Sequence, residues 1–160
     1  MAVDMFLKLE PIKGEAQDDA HKDEMDILAW SWGMSQSGTT HMGSGSGAGK
    51  VNVQDLSVTK YIDKASTDLM KFCTNGDHIT EGTLTVRKAG GKALEYIVLN
   101  MKDIIISSVS TGGSGGEDRL TENVSLNFGG YEIAYTPQEK DGAAGTKTEW
   151  KWDIAANKEL

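Results

Sequence analysis

Most of this 160-residue chain alternates apolar and polar side chains with period two. Successive side chains of a strand point to opposite faces, so that rhythm commits the chain to β-structure. Candidate strands run over 3–9, 24–33, 51–61, 79–88, 93–100, 102–110, 120–128, 131–136 and 148–154. In 120–128, Leu120, Glu122, Val124, Leu126 and Phe128 share one face, with Thr121, Asn123, Ser125 and Asn127 on the other. In 24–33 the bulky Leu28, Trp30 and Trp32 are expected inside, and the smaller Ile27, Ala29 and Ser31 opposite them. Trp150, Trp152 and Ile154 share a face opposite Lys151 and Asp153, and the run Ile104–Ile106 reads as buried on both sides. Gly129-Gly130 reads as a turn and Pro137 as a break.

One segment departs from that rhythm. In 64–74, Ala65, Leu69, Phe72 and Cys73 fall on a single helical stripe, with Asp63 placed to cap the start and Gly76 the end. Residues 37–49 are Ser/Gly-rich and keep no apolar period, so they read as a long flexible or extended loop, and 111–116 reads as a second Gly-rich turn. The expected fold is therefore mainly β: a single domain over 1–160, an antiparallel β-barrel with one flanking helix. Closure would dispose of the many sheet edges.

Charge and cysteine usage exclude several functions. The net charge is 16 − 24 = −8, which opposes condensation on nucleic acid or on an anionic membrane. No run of 18 apolar residues is available for membrane insertion. The single cysteine, Cys73, rules out an intrachain disulfide framework and reads as a small hydrophobe. The N-terminus lacks the basic region of a Sec signal peptide. The chain is expected to be made in the cytoplasm and to leave the cell only through a dedicated machine.

Motifs with chemical overtones fail on context. Gly112-Gly-Ser114-Gly-Gly116 matches G-x-S-x-G, but no helical pattern follows it, and His21, His41 and His78 all lie upstream. Residues 44–51 put Ser44 where a phosphate-binding loop needs its first glycine, and Val51 where it needs a hydroxyl. The three histidines are too scattered for a metal site and read as surface residues. Asn123-Val-Ser125 is a chance sequon in a chain without a secretory signal. The tryptophan pairs Trp30/Trp32 and Trp150/Trp152 read as core rather than as a sugar platform. No set of acid, base and nucleophile remains, and no cofactor is implied.

Several segments in order resemble the haemolysin-coregulated protein family, the tube protein of type VI secretion systems. They are Met1–Phe6, Ile27–Gly33, Val53–Ser57, Thr59–Ser66, Ser107–Gly113 and Leu120–Phe128, and the resemblance spans nearly the whole chain. It implies a β-barrel that assembles into a homohexameric ring. Rings stack into a tube inside a contractile sheath, under a spike trimer, and small secreted effectors travel in the lumen. Ser31 and Ala29 would then face the lumen and touch cargo. Thr40, His41, Met42, Gly43, Gly45 and Gly47 would lie in an arm reaching the next ring, with Gly112, Gly113 and Gly115 in a second contact. A contractile phage-like tail tube protein and a monomeric small-ligand carrier barrel are the alternatives. A six-membered ring would carry 6 × −8 = −48 charges, so stacking is expected to strengthen as salt screens the repulsion.

Overall fold

The computed structural model describes residues 3–38, 41, 49–88 and 93–160. In chain order the elements are β1 (Val3–Leu9), β2 (Met25–Asp26), β3 (Ala29–Ser31), β4 (Met34–Ser35), β5 (Asn52–Val53), β6 (Leu56–Tyr61) and α1 (Ser66–Asn75). They continue as β7 (His78–Lys88), β8 (Leu94–Thr111), β9 (Thr121–Tyr135), β10 (Thr148–Asp153) and β11 (Lys158–Glu159).

Every ladder is antiparallel, and the pairing returns to its start. β1 pairs β7, β7 pairs β8, β8 pairs β9, β9 pairs β6, and β6 pairs β3. The segment 25–31 closes the circuit: β2 pairs β1, the Ile27 N–H donates to the Met5 carbonyl, and the Leu28 N–H donates to the Thr59 carbonyl. Inside lie Leu7, Leu9, Met25, Leu56, Val58, Leu84, Leu99, Met101, Ile104, Val124 and Leu126, all essentially without exposed surface. β10 and β11 extend the sheet beyond the circuit, on the outer half of β9.

The closure point explains one misreading. Met25 and Ile27 are buried from odd-numbered positions, whereas Trp30 and Trp32 pack inward from even ones. The chain changes partner at Leu28, and the slip of one residue flips the faces. Leu28 is therefore 42% exposed and Ile27 buried, the reverse of the expected pattern. Ala29 and Ser31 do face outward.

A second correction concerns the long strands. Gly129-Gly130 is no turn, because β9 runs unbroken through both, and β8 runs through the gap at residue 101. Lys102 faces Gly130 and Ile104 faces Phe128 in the ladder, and between them Asp103 takes a left-handed φ of 54°. The two apparent breaks are one bend shared by paired strands. Leu120, expected inside, is exposed just before β9 begins.

The helix forms where its stripe falls. Ala65 and Leu69 are fully buried, and Phe72 and Cys73 are half-buried against the same core. Gly76 ends the helix at φ 66°, a conformation that side-chain-bearing residues rarely adopt. Asp63 works one step outside the first turn, where its Oδ1 accepts the Ala65 N–H at 2.9 Å.

Candidate functional site

The outer face of β3, β6, β9 and β8 carries two rows of small uncharged side chains, all but Ala29 polar. Register dictates their order. One row runs Ala29, Thr59, Asn123, Ser110, and the next runs Ser31, Ser57, Ser125, Ser108. All eight are exposed or half-exposed. Four strands at the usual spacing make a wall about 14 Å wide. The wall satisfies many of its own polar groups. The Thr59 hydroxyl donates to Asn123 Oδ1 at 2.7 Å, and the Ser57 and Ser125 hydroxyls lie 3.4 Å apart. Beyond the rows, the Asp55 carboxylate accepts from the Ser107 hydroxyl at 2.7 Å and from Asn127 Nδ2 at 2.8 Å.

Directly behind this wall is a buried ionic cluster. Lys60 and Glu122 face each other in the ladder beside the Thr59–Asn123 pair, and neither side chain has exposed surface. Lys60 Nζ donates to Glu122 Oε1 at 2.6 Å, Asp63 Oδ1 at 2.8 Å and the Tyr61 carbonyl at 2.9 Å. Three ammonium hydrogens thus meet three acceptors. The Ser66 hydroxyl, at the start of α1, donates to Glu122 Oε1 at 2.7 Å and ties the helix to the wall. The sequence reading missed this pair, although its signal was present. Glu122 is in phase with Val124 and Leu126, and Lys60 with Leu56 and Val58, so opposite charges recur on two apolar faces.

A second cluster clamps the segment after β1. Arg87 donates to Asp18 through both terminal nitrogens and to Asp4 Oδ2 at 3.2 Å, and its guanidinium lies 5.1 Å from the Phe6 ring centre. The Arg87 hydrogen bonds hold the Asp18 carboxyl down at about 2, and Asp18 in turn raises the guanidinium. His21 is no surface residue. It is 7% exposed, stacks on Phe6 at 4.5 Å, and sets its ring nitrogens 2.8 Å from Glu24 and 2.8 Å from Glu95. Phe6 buries the ring while two carboxylates meet its polar edges, a set of partners that sequence spacing does not reveal. His41 and His78 are exposed, as expected.

The remaining sequence candidates divide. Gly112, Gly113 and Gly115 lie in the exposed turn between β8 and β9, and Gly113 packs against Leu120. Ser114 shares that turn, which leads into a strand rather than a helix. His41 is an exposed turn residue; Thr40, Met42, Gly43, Gly45 and Gly47 lie outside the described residues. Trp30, Trp32 and Trp152 pack against the core, but Trp150 is 43% exposed. No helix among the described residues is long and apolar enough to cross a membrane.

An antiparallel ladder that returns to its start, one helix pinned to it, and two uncharged rows across its outer face define a protein that works through its surfaces. The comparisons with known proteins agree. The family model described as "Type VI secretion system effector, Hcp" matches residues 6–135. The chain is 58% identical over 159 residues to Protein hcp1 of Pseudomonas aeruginosa, covering 98% of each. It superposes on the crystal structure of Hcp1 from Salmonella typhimurium with a TM-score of 0.83, 40% identity and full coverage of both chains. A structure titled as a type six secretion system protein gives a TM-score of 0.94 at 29% identity, covering 99% of this chain and 100% of that one. The chain belongs to the Hcp family, and it is a type VI secretion tube protein.

Proposed function

We propose that the face carrying Ser31 and Ala29 lines the lumen of a six-membered ring, and that the chain, one domain over 1–160, is a structural subunit and effector carrier with no catalytic role. The observation that carries this reading is the pair of register rows across four strands, eight side chains without a charge among them. A channel wall has to hold cargo and then release it. Hydroxyls and amides that bond to one another or to water demand no bond from the cargo, so contacts stay weak and water-mediated. An uncharged wall also repels neither acidic nor basic proteins.

On this reading rings stack through His41 and the neighbouring Thr40, Met42, Gly43, Gly45 and Gly47, with Gly112, Gly113 and Gly115 as a second contact. The partners are further copies of the ring, a spike trimer, a contractile sheath and small secreted effectors. Replacing Ser31 by glutamine places a larger side chain in the wall without touching the core. Rings should persist by negative-stain microscopy while co-purified effector falls about tenfold, a change of about 1.4 kcal/mol in binding. Undiminished cargo would contradict the lumen assignment.

A further inference from the structure

The methionines of this chain differ in what surrounds the sulfur. Met25 and Met101 have no exposed surface and Met5 is half-buried against the core, while Met34 and Met70 are exposed. Met1 and Met42 lie outside the described residues. Among the described residues only the Met34 sulfur receives a hydrogen bond, from the Tyr131 hydroxyl at 3.6 Å.

The donor is poorly served by that partner. Tyr131 is fully buried, with Trp32 edge-on at 4.8 Å and Phe128 at 6.3 Å. Burial pushes its phenol up, so the hydroxyl keeps its proton and stays a donor. A buried hydroxyl ordinarily meets an oxygen or nitrogen acceptor, and a thioether is a weak substitute. The contact also sits at a junction. Met34 belongs to β4, which pairs with β5 in a two-stranded sheet separate from the main one. Trp32 Nε1 donates to the Gln54 carbonyl and the Gln54 N–H to the Gly33 carbonyl, each at 2.9 Å, beside that pairing. Among the described residues, Tyr131 to Met34 is the side-chain hydrogen bond that joins β9 to β4.

The spacing suits an added oxygen. A sulfoxide with an S–O bond of about 1.5 Å, accepting from a hydroxyl at about 2.7 Å with an angle of about 120° at its oxygen, sets sulfur and donor about 3.7 Å apart. The thioether already stands at that separation, on an exposed side chain that an oxidant can reach.

We propose that Met34 is a reversible oxidation site, whose sulfoxide accepts from Tyr131 and tightens the β4–β5 sheet onto β9. The oxidant is hydrogen peroxide. The sulfur gives an electron pair to one peroxide oxygen, the O–O bond breaks, and the other oxygen leaves as water with both protons. Sulfur is oxidised by two electrons and the peroxide is reduced. A dithiol, acting through methionine sulfoxide reductases, returns the two electrons and the oxygen departs as water. Oxidation usually disrupts a methionine packed in a core. Here it supplies a strong acceptor to a donor that water does not reach, so it should stabilise. The site goes beyond the ring reading and does not depend on it.

Treating the full chain with dilute hydrogen peroxide and mapping its peptides by mass should find one added oxygen on Met34 and none on Met25 or Met101. The two epimer-specific reductases should remove it. Met34 left reduced while Met70 is oxidised would overturn the site. Stability is read in a Cys73→Ser, Met42→Leu, Met70→Leu background, where oxidation should raise the melting temperature by about 2–4 °C, the effect of one hydrogen bond strengthened. The rise should vanish in Met34→Leu and in Tyr131→Phe, each compared with its own unoxidised form. Oxidised protein that melts at or below the reduced form, or a rise that persists in Met34→Leu, would overturn the proposal.

Discussion

Two ionic clusters brace this barrel, and water reaches them very differently. Lys60 and Glu122 have 0% exposed side-chain surface, whereas Arg87, Asp18 and Asp4 are 11%, 26% and 45% exposed. The buried cluster joins three elements directly behind the polar wall: β6, β9 and the start of α1. The open one pins the segment after β1 onto β7 from outside. A buried charge cannot lose its partner cheaply, since no water replaces it, while a half-exposed one can be resolvated. The first cluster therefore fixes the wall's register. The second sets where the 10–24 segment lies and how the protein meets acid.

The largest effect should come from breaking the buried cluster. Lys60→Ala strands Glu122 without its cation, at a cost of about 3–5 kcal/mol, or roughly 10 °C in the melting temperature. The paired change Lys60→Met with Glu122→Leu removes both charges and should recover most of that loss. If Lys60→Ala melts like the parent, the wall does not depend on the cluster.

Arg87→Ala should cost clearly less, because Asp18 and Asp4 can turn to solvent. Proteolysis inside residues 10–24 should accelerate more than the melting point falls. Equal losses for Arg87→Ala and Lys60→Ala would erase the contrast.

The smallest effect is read from how stability changes with pH. Asp18 is held at about 2 by Arg87, below the ordinary carboxylate value, so its stabilisation is fully present above about pH 4. It is lost as pH falls through about 2. Asp18→Asn should lower stability by a constant amount from pH 7 down to about pH 4 and flatten the acid-unfolding curve between about pH 4 and 2, where parent and variant converge. An unchanged slope there would remove Asp18 from the account.

Much of the fold was legible because alternation and helical stripe are local signals. The helix stripe Ala65, Leu69, Phe72, Cys73 and its Gly76 terminus sit where the sequence puts them. So do the exposed Ala29 and Ser31. What was not legible depends on partners distant in sequence. Leu28 is turned outward by a change of strand partner, and Gly129-Gly130 stays extended because β8 bends with it at Asp103. His21 is buried by Phe6 and Glu95, the latter 74 residues away. Trp150 shares a face with Trp152 yet lies beyond the circuit that would cover it. The wall itself shows a middle case. Each strand's polar positions are readable one at a time, but only register brings Ser31, Ser57, Ser125 and Ser108 into one row.

The central claim is that this row faces the lumen, and its radial position can be measured directly. A Ser31→Cys, Cys73→Ser protein labelled with a maleimide gold cluster, assembled and class-averaged by electron microscopy, should show the gold inside the ring's central opening. Gold on the outer rim would contradict the account.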